Sequence, residues 1–234
     1  ADDSMSLVDA DYSQVELRVL AHMSQDPHMI EAFNSGEDIH RKTASQVFNV
    51  DFDQVTPELR SAAKAVNFGI IYGKSDFGLA QDLNISQKKA KEYIESYFNK
   101  YETIKAFMDH IVSDAEEKGY STTMFNRRRY IPEIKSSNFV EKNRGKRAAM
   151  NAPIQGSAAD IIKIAMVNVY NRLKEQGLKS RLILQVHDEL IVEATGDELD
   201  QVEVLLREEM ENAVNLKVDL KVDLNIGKSW YETK

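Results

Sequence analysis

The spacing of apolar residues changes along this chain, and that change constrains the fold more than any other feature. From Ser86 to Gly119 apolar positions recur with a period of 3.6, which is typical of helices, and a break is predicted near residues 101–103. Residues 216–226 instead alternate apolar and polar side chains, which indicates a half-buried strand. Helical patterns dominate the middle and antiparallel strand patterns the end, so the sequence predicts an α+β fold.

Shorter signals place further elements around this frame. A short strand is predicted from residue 6, and a helical pattern follows Ser13. Thr56 and Pro57 predict the start of another helix, and Gly73 predicts its end. The remaining predictions are a hairpin at residues 120–131 that turns at Asn126, a helix at 157–175 and two strands within 181–194.

The composition excludes several classes of protein. The 234 residues include 30 basic and 38 acidic side chains, for a net charge of −8, and no cysteine. Without cysteine there is neither a disulfide framework nor a thiolate metal site. The N-terminus lacks a secretory signal, and no apolar run approaches the ~18 residues that span a bilayer. We therefore expect a cytoplasmic protein that does not enter membranes.

The negative charge is unevenly distributed. Residues 1–59 carry 3 basic and 12 acidic side chains, whereas residues 127–147 carry 8 basic and 2 acidic ones. The net charge alone argues against a simple basic nucleic-acid binder. The basic run is either a solvated face or a local phosphate contact, since phosphate binding depends on the local field and not on total charge.

A predicted hairpin turn holds the first group of chemically capable residues, His187, Asp188 and Glu189. Tight turns usually recruit Gly, Asn or Pro, and none of these three residues is expected there for a positive φ. The turn is either an ordinary solvated tip or a rigid support for carboxylates that bind a divalent cation such as Mg²⁺.

Asp11 lies where the first predicted strand ends. A single Asp at such a position commonly caps the following helix. Two carboxylates on separate strand ends could instead hold two metal ions for an in-line phosphoryl displacement. Asp9 lies on the same strand face, so spacing alone does not distinguish Asp9 from Asp11.

Arg60, Lys64, Phe68 and Tyr72 recur every four residues in the helix that begins near Thr56. Each step turns the helix by about 40°, so the four side chains form one drifting row about 18 Å long. Two cations followed by two aromatic rings fit a ligand with phosphates at one end and a base at the other. The apolar candidates for the core face of this helix are Ala62, Ala63, Val66 and Ile70.

Three segments resemble the motifs of the family A DNA polymerases. Residues 11–18, Asp-Tyr-Ser-Gln-Val-Glu-Leu-Arg, resemble motif A, and residues 60–73, Arg-Ser-Ala-Ala-Lys-Ala-Val-Asn-Phe-Gly-Ile-Ile-Tyr-Gly, resemble motif B. Residues 185–189, Gln-Val-His-Asp-Glu, resemble motif C. Three motifs in this order are highly specific, and familiar segments between them extend the resemblance to nearly the whole chain.

The resemblance implies a polymerase palm, an antiparallel sheet with helices, at residues 1–20 and 127–234. It implies a mostly helical fingers subdomain at residues 21–126, with the thumb and nuclease domains absent. Metal binding is implied for Asp11, Asp188 and the main-chain carbonyl of Tyr12, with two Mg²⁺ ions as cofactors and Mn²⁺ as a substitute. The Asp9 ambiguity is thereby resolved in favour of Asp11.

The resemblance also implies roles for individual side chains. Glu189 would be an accessory acid, Lys64 would neutralise the departing pyrophosphate, and Glu16 would crowd a ribose 2′-hydroxyl. The implied catalytic residues are Asp11, Asp188, Glu189 and Lys64. The implied nucleotide-binding residues are Gln14, Glu16, His40, Arg60, Lys64, Phe68 and Tyr72. The implied DNA-binding residues are Tyr72, Arg147, Asn151, Gln155 and His187.

The function implied is template-directed addition of deoxynucleotides to a primer 3′-hydroxyl, in DNA replication and repair, with release of pyrophosphate. The expected partners of this monomer are primer-template DNA and dNTPs. One alternative is a relative of the phage-type single-subunit RNA polymerases, which Glu16 and the Phe68–Gly69 pair disfavour. The other is a module that binds nucleotide or DNA but is poorly active without a thumb.

Overall fold

The chain divides into two units in the computed structural model, which describes residues 4–234. The sheet unit comprises Ala1–Val15 and Ala158–Lys234, and the helical unit comprises Glu16–Ser157. Antiparallel sheets together with many helices confirm the predicted α+β class. These divisions differ from the predicted boundaries at residues 20 and 126, and the assignment of palm and fingers remains a prediction.

The elements follow one another in a mixed order. The described strands are β1 (Met5–Tyr12), β2 (Tyr120–Thr122), β3 (Arg128–Tyr130), β4 (Arg181–Val186), β5 (Glu189–Thr195) and β6 (Val222–Gly227). The described α-helices are α1 (Val15–Ser24), α2 (Pro27–Asn34), α3 (Ile39–Phe48), α4 (Pro57–Ile71), α5 (Asp76–Leu83), α6 (Gln87–Lys100), α7 (Glu102–Lys118), α8 (Phe139–Glu175) and α9 (Leu199–Glu211). Within residues 4–234, none of these helices is both long enough and apolar enough to cross a membrane.

The sheet unit is built on a four-stranded antiparallel sheet in the order β4–β5–β1–β6. In β1, Asp11 lies opposite Glu189 of β5 and opposite Asp223 of β6. Helix α9 contacts β1, and the Tyr12 hydroxyl donates a hydrogen bond to the buried carbonyl of Met210 at 2.6 Å. Because β1 is paired on both sides, the backbone that carries Asp11 is held rigidly.

Strand β6 is shorter than the strand predicted at residues 216–226. Val218, Leu220 and Val222 are buried while the residues between them are exposed, so the alternation predicted burial correctly. The ladder nevertheless begins only at Val222, because its partner on β1 is Tyr12, the last residue of that strand. A period of two predicts which side chains are buried, but a strand also needs a neighbouring strand with which to pair.

In the helical unit, α3 packs against α4, and a small apolar cluster of Ala44, Val55 and Ala63 lies in their neighbourhood. Helix α4 begins as predicted, since the Thr56 hydroxyl accepts a hydrogen bond from the Leu59 amide at 3.3 Å and Pro57 occupies the first turn. It ends at Ile71, and Gly73 follows with a φ of +60°.

The long helical pattern between residues 86 and 119 is divided where the sequence predicts a break. Helix α6 ends at Lys100 and α7 begins at Glu102, with Tyr101 out of helical geometry between them. Gly119 ends α7 with a φ of +82°. The predicted hairpin is confirmed by the pairing of β2 with β3, and Asn126 adopts a left-handed φ of +63° in the connection.

Helix α8 is much longer than the helix predicted at residues 157–175, since it runs from Phe139 through Pro153 to Glu175. Proline cannot donate to the carbonyl four residues earlier. Here that carbonyl, of Ala149, accepts a hydrogen bond from the Ser121 hydroxyl at 3.2 Å. The Ser157 hydroxyl in turn donates to the Pro153 carbonyl at 2.5 Å. A distant side chain thus satisfies the carbonyl that proline leaves without a donor, and the helix continues.

Candidate active-site clusters

The structure brings Asp11, Asp188 and Glu189 together at one end of the sheet. Asp11 and Glu189 are ladder partners, and the amide of Tyr12 donates to the carbonyl of Asp188 at 3.1 Å. Residues on a central strand and on the adjoining hairpin have little backbone freedom. The sheet unit therefore presents a rigid acidic cluster formed by these three residues.

The turn that carries Asp188 is strained at His187, contrary to the expectation that no residue there serves a positive φ. His187 and Asp188 connect β4 to β5, and His187 has a φ of +50°. A positive φ at the first turn residue is usually assigned to Gly, and it costs other residues about 1–2 kcal/mol. The Gln185 side-chain amide donates to the His187 carbonyl at 2.8 Å and so supports the turn.

The surroundings of Asp11 disfavour the charged form of its carboxyl group. Partial burial and the neighbouring charges of Asp188 and Glu189 together raise its pKa to about 6, although Lys234 acts in the opposite direction. Within the described chain, its Oδ1 is buried without a hydrogen-bond partner. A carboxylate in this state would be stabilised by a cation placed among the three side chains.

Two C-terminal residues take part in this region, and the sequence did not reveal them. The Lys234 ammonium lies 3.2 Å from Asp9 Oδ2 and also pairs with Glu189. The Thr233 hydroxyl donates to Asp9 Oδ2 at 3.0 Å. Burial opposes the charge of Lys234, but these two carboxylates outweigh that effect and raise its pKa. Asp9 is 2% exposed, and its carboxylate contacts Thr233 and Lys234 at the C-terminus.

The donor set suits a hard divalent cation. Mg²⁺ prefers oxygen ligands and usually takes only one or two carboxylates from a protein. Asp11 and Asp188 supply carboxylates, and among the described residues the buried Oδ1 of Asp11 has no hydrogen-bond partner. Among residues 4–234, no group of three or more His, Asp or Glu side chains is arranged to hold a metal. The predicted ligands include only two such side chains, Asp11 and Asp188, and the third ligand is the main-chain carbonyl of Tyr12.

Gln14, a predicted nucleotide contact, occupies the short connection between β1 and α1. It has a left-handed φ of +56°, and the neighbouring amide of Ser13 donates to the carbonyl of Lys221 at 2.8 Å. Backbone strain of this kind often accompanies functional positions.

In the helical unit, the predicted row on α4 is present on the outer side of that helix. Arg60, Lys64 and Tyr72 are exposed, Phe68 is half-buried, and the rings of Phe68 and Tyr72 are stacked with centroids 6.2 Å apart. The opposite side of α4 is buried through Ala63, Val66, Asn67, Gly69 and Ile70. The four-residue spacing therefore predicted this face correctly.

Arg60 has a partner that the sequence analysis missed. Its Nε donates to Asp38 Oδ2 at 2.6 Å. Burial acts to raise the pKa of Asp38, but the hydrogen bonds from Arg60 and from the amides of Arg41 and His40 outweigh it and lower that pKa. Asp38 precedes α3 as its N-cap, and capping rules applied to residues 38–40 would have identified it.

His40 is only 2% exposed and lies beside the row. Its Nδ1 is 3.1 Å from Asn67 Nδ2, and its ring centroid is 6.0 Å from that of Phe68. Burial, together with the charges of Arg60 and Lys64, lowers its pKa to about 4, although Asp38 acts in the opposite direction. The imidazole is therefore neutral near pH 7.

Glu16, the predicted sugar gate, is held by the aromatic end of the row. The Tyr72 hydroxyl donates to Glu16 Oε2 at 3.1 Å. Both residues belong to the helical unit, so this bond links the start of α1 to the end of α4.

The predicted DNA-binding residues fall in both units. Arg147, Asn151 and Gln155 follow one another at four-residue intervals on α8 within the helical unit, whereas His187 belongs to the sheet unit. Arg147 and Gln155 are exposed. Asn151 Nδ2 is buried without a hydrogen-bond partner among the residues described. These three positions of α8 thus carry one cation, Arg147, and two amides, Asn151 and Gln155.

Much of the positive charge between residues 127 and 147 is neutralised within the helical unit. Lys142 and Lys146 each lie 3.3 Å from Glu116, and Arg144 lies 3.0 Å from Glu133. These pairs leave a weaker cationic surface than the composition of the segment suggests. The predicted phosphate contact by this run remains a prediction.

The structure therefore assembles eight of the predicted residues into two clusters, one in each unit. Asp11, Asp188 and Glu189 lie together in the sheet unit. Glu16, His40, Arg60, Phe68 and Tyr72 are linked to one another, or to shared neighbours, in the helical unit.

The whole length of the chain is similar to a known protein family. Residues 1–232 match the family model of DNA polymerase family A. DNA polymerase I of Caldicellulosiruptor bescii is 56% identical over 228 residues, which are 97% of this chain and 27% of that relative. DNA polymerase I of Bacillus subtilis is 55% identical over 225 residues, 96% of this chain and 26% of that relative. The chain thus spans about a quarter of the length of the curated relatives it matches.

A solved structure is also similar to this chain. The POL domain of Pol1 from M. smegmatis, in complex with DNA primer-template and dNTP, has a TM-score of 0.95 and is 48% identical. The match covers 100% of this chain and 41% of that one.

Proposed function

Because this chain belongs to DNA polymerase family A, we propose that it carries the residues that catalyse template-directed DNA synthesis. In this reaction the primer 3′-hydroxyl attacks the α-phosphorus of a dNTP, a new phosphodiester bond forms, and pyrophosphate leaves. The observation that carries the proposal is the pairing of Asp11 with Glu189, with Asp188 at the adjoining turn. The M. smegmatis relative, in complex with primer-template and dNTP, supports the choice of substrates.

Asp11, Asp188 and the carbonyl of Tyr12 would hold Mg²⁺ in the sheet unit. When bound, such ions lower the pKa of the attacking hydroxyl and stabilise the charge of the leaving group. The buried, unpartnered Oδ1 of Asp11 supports this assignment. Glu189 would keep the cluster negative from within the ladder, where Lys234 partly offsets its charge.

The row on α4 would bind the nucleotide. Arg60 and Lys64 would hold the triphosphate, with Lys64 neutralising the departing pyrophosphate, and Phe68 would pack against the sugar and base. His40 would donate from its neutral ring to a phosphate oxygen. Little covalent chemistry is required of the protein, so positioning and charge stabilisation would supply most of the rate enhancement.

Four polar residues would contact the primer-template, and Tyr72 would contact the templating pair. The four are Arg147, Asn151, Gln155 and His187. Contacts to minor-groove acceptors, whose pattern differs little among base pairs, would test pair shape without demanding a sequence. In this proposal residues 1–20 and 127–234 form the palm, and residues 21–126 form the fingers.

Primer extension tests the proposal directly. The chain is incubated with a primed template, Mg²⁺ and all four dNTPs, and elongation is followed on a denaturing gel. We expect elongation by the wild type, none by Asp188→Ala, and unchanged elongation by Asp200→Ala, which removes an exposed carboxylate of α9 in the same unit. Binding of primer-template without elongation by the wild type would instead favour a module that binds but does not synthesise.

Thermal melting tests the proposed metal site independently of activity. We expect Mg²⁺ to raise the melting temperature of the wild type, because a cation relieves repulsion among Asp11, Asp188 and Glu189. Asp11→Asn should melt at a higher temperature than the wild type in EDTA and should respond less to Mg²⁺. Equal responses to Mg²⁺ by Asp11→Asn, the wild type and the control Asp200→Asn would argue against the assigned ligands.

A further inference from the structure

A buried set of hydrogen bonds orients the side-chain amide of Asn67. Asn67 is 0% exposed, and its Nδ2 lies 3.1 Å from both His40 Nδ1 and Thr43 Oγ1. The Thr43 hydroxyl donates its single hydrogen to the carbonyl of Ile39 at 2.8 Å. Its oxygen can then accept a hydrogen from Nδ2, while Asn67 Oδ1 lies 3.3 Å from the same hydroxyl. The two hydrogens of the Asn67 amide are therefore directed to Thr43 and to His40.

The neighbouring Tyr101 does not disturb this arrangement. Its hydroxyl donates to Gln46 Oε1 at 2.5 Å and lies 3.5 Å from Thr43 Oγ1. The hydrogen of Tyr101 is thus used elsewhere, and the Thr43 oxygen remains available to Asn67.

The orientation of Asn67 determines which nitrogen of His40 carries the proton. Because Nδ2 donates to Nδ1, Nδ1 must be unprotonated, and a neutral imidazole then carries its hydrogen on Nε2. The charged groups that act on His40 are Asp38, Arg60 and Lys64, and the two cations together with burial disfavour an imidazolium. A neutral ring with an Nε2–H donates a hydrogen bond without adding a third positive charge.

We propose that Asn67 is a positioning residue that holds His40 in its neutral Nε2–H tautomer, so that Nε2 donates to a phosphate oxygen of the incoming nucleotide. The phosphate contact rests on the proposed function, whereas the tautomer does not. Asn67 lies on α4 directly before Phe68, on the buried side of the helix that carries Arg60 and Lys64. One helix would thus supply both the exposed cations and the hidden group that orients the neutral donor.

Nitrogen NMR of the unliganded wild type tests the tautomer without any need for activity. The five histidines are labelled, and the His40 signals are assigned by their loss in His40→Gln. At pH 7.5 we expect an Nε2 signal typical of a protonated nitrogen and an Nδ1 signal typical of an acceptor. A protonated Nδ1, or rapid averaging between the two tautomers, would overturn the inference whether or not the chain extends primers.

Asn67→Asp tests the consequence for nucleotide use. The new carboxylate accepts a hydrogen from Nδ1, so above the pKa of His40 the Nε2 lone pair would face the phosphate. Below that pKa the imidazolium still donates from Nε2. We expect the KM for dNTP in primer extension to rise with pH by on the order of tenfold, the loss expected for a hydrogen bond to a charged group. The kcat should change less.

The double variant Asn67→Asp/His40→Gln separates positioning from a structural defect. The glutamine amide donates whatever residue lies behind it, so the rise of KM with pH should disappear in the double variant. A loss that is equal at every pH in both variants would contradict the positioning role. If the wild type itself fails to extend primers, the proposed function fails, and the NMR spectrum still decides the tautomer.

Discussion

Arg60 Nε donates to Asp38 Oδ2 at 2.6 Å, while Asp38 Oδ1 accepts hydrogen bonds from the amides of His40 and Arg41. One carboxylate therefore caps α3 and holds a cation of α4 at the same time. The ion pair sets the resting position of Arg60, and a triphosphate bound by Arg60 as proposed would compete with Asp38 for the same guanidinium.

Asp38→Asn should lower the KM for dNTP by up to about fivefold, since an exposed ion pair typically contributes about 0.2–1 kcal/mol. Asparagine retains an oxygen that caps α3, so stability should change little. The measurement is steady-state primer extension at varied dNTP concentration. Asp82→Asn, which breaks the comparably exposed pair with Lys74, is the matched control and should leave the KM unchanged. A higher KM in Asp38→Asn would show that Asp38 assists phosphate binding.

Glu16→Ala should relax discrimination against ribonucleotides. The Tyr72 hydroxyl holds the Glu16 carboxylate at 3.1 Å, and a side chain fixed in this way would crowd a 2′-hydroxyl. We expect the preference for dNTP over rNTP, measured as a ratio of kcat/KM values, to fall about tenfold or more, as for other losses of close steric fit.

Tyr72→Phe should relax the same discrimination less, by about fivefold, because it removes one hydrogen bond and leaves Glu16 in place. Glu95→Ala on α6 serves as an exposed glutamate control. Unchanged discrimination in Glu16→Ala would refute the gate, whichever result Tyr72→Phe gives.

His40 should make the folded protein less stable in acid. Burial lowers its pKa to about 4 from the ordinary value of 6.5. Between these values the unfolded chain binds a proton at His40 that the folded chain does not bind, so stability falls as pH falls from 6.5 towards 4. The loss should reach at most about 3 kcal/mol. Urea denaturation at a series of pH values measures it.

His40→Gln should lose this contribution, so the free energy of unfolding of the variant should vary less than that of the wild type between pH 6.5 and 4. His110→Gln replaces an exposed histidine of α7 and should retain the wild-type pH dependence. Equal pH dependence in wild type and His40→Gln would mean that His40 is protonated in the folded state.

The sequence predicted those parts of the site that local spacing determines. The exposed row from Arg60 to Tyr72 follows from the period of one helix. The carboxylate of Asp11 follows from the end of one strand. By contrast, the partners of these residues lie far away in the chain, as Lys234 does from Glu189. No local period carries information about such pairs.

The prediction of the fold has the same limit, because local signals carry no information about contacts with distant segments. The break at Tyr101 and the stop at Gly119 were read from local signals. The length of α8 was not, because the hydroxyl of Ser121 that satisfies the Ala149 carbonyl comes from a different segment. The predicted helix at residues 157–175 begins after Pro153, whereas α8 continues through that proline. The motif resemblance supplied the roles of residues, which neither composition nor period could give.

Substitution by alanine should have different effects on the free energy of unfolding at two glycines that lie inside helices. A Cβ at Gly145 of α8 would lie 2.5 Å from the backbone nitrogen of Ile134 and 2.7 Å from its Cα. Backbone atoms cannot rotate away as a flexible side chain can. A Cβ at Gly69 of α4 would meet its nearest neighbours, in Leu79 and Lys74, only at 3.8 Å, which is ordinary van der Waals contact.

Gly145→Ala should therefore destabilise the protein, since overpacking costs about 1–3 kcal/mol or more and offsets the helical preference for alanine of about 1 kcal/mol. Gly69→Ala should be neutral or stabilising by up to about 1 kcal/mol, because it gains helix propensity without a clash. Urea denaturation of both variants and the wild type measures the two changes. Because Gly69→Ala carries the same gain in helix propensity, the difference between the two variants isolates the cost of the close approach at Gly145. Stabilisation by Gly145→Ala would show that α8 does not approach Ile134 as closely as described.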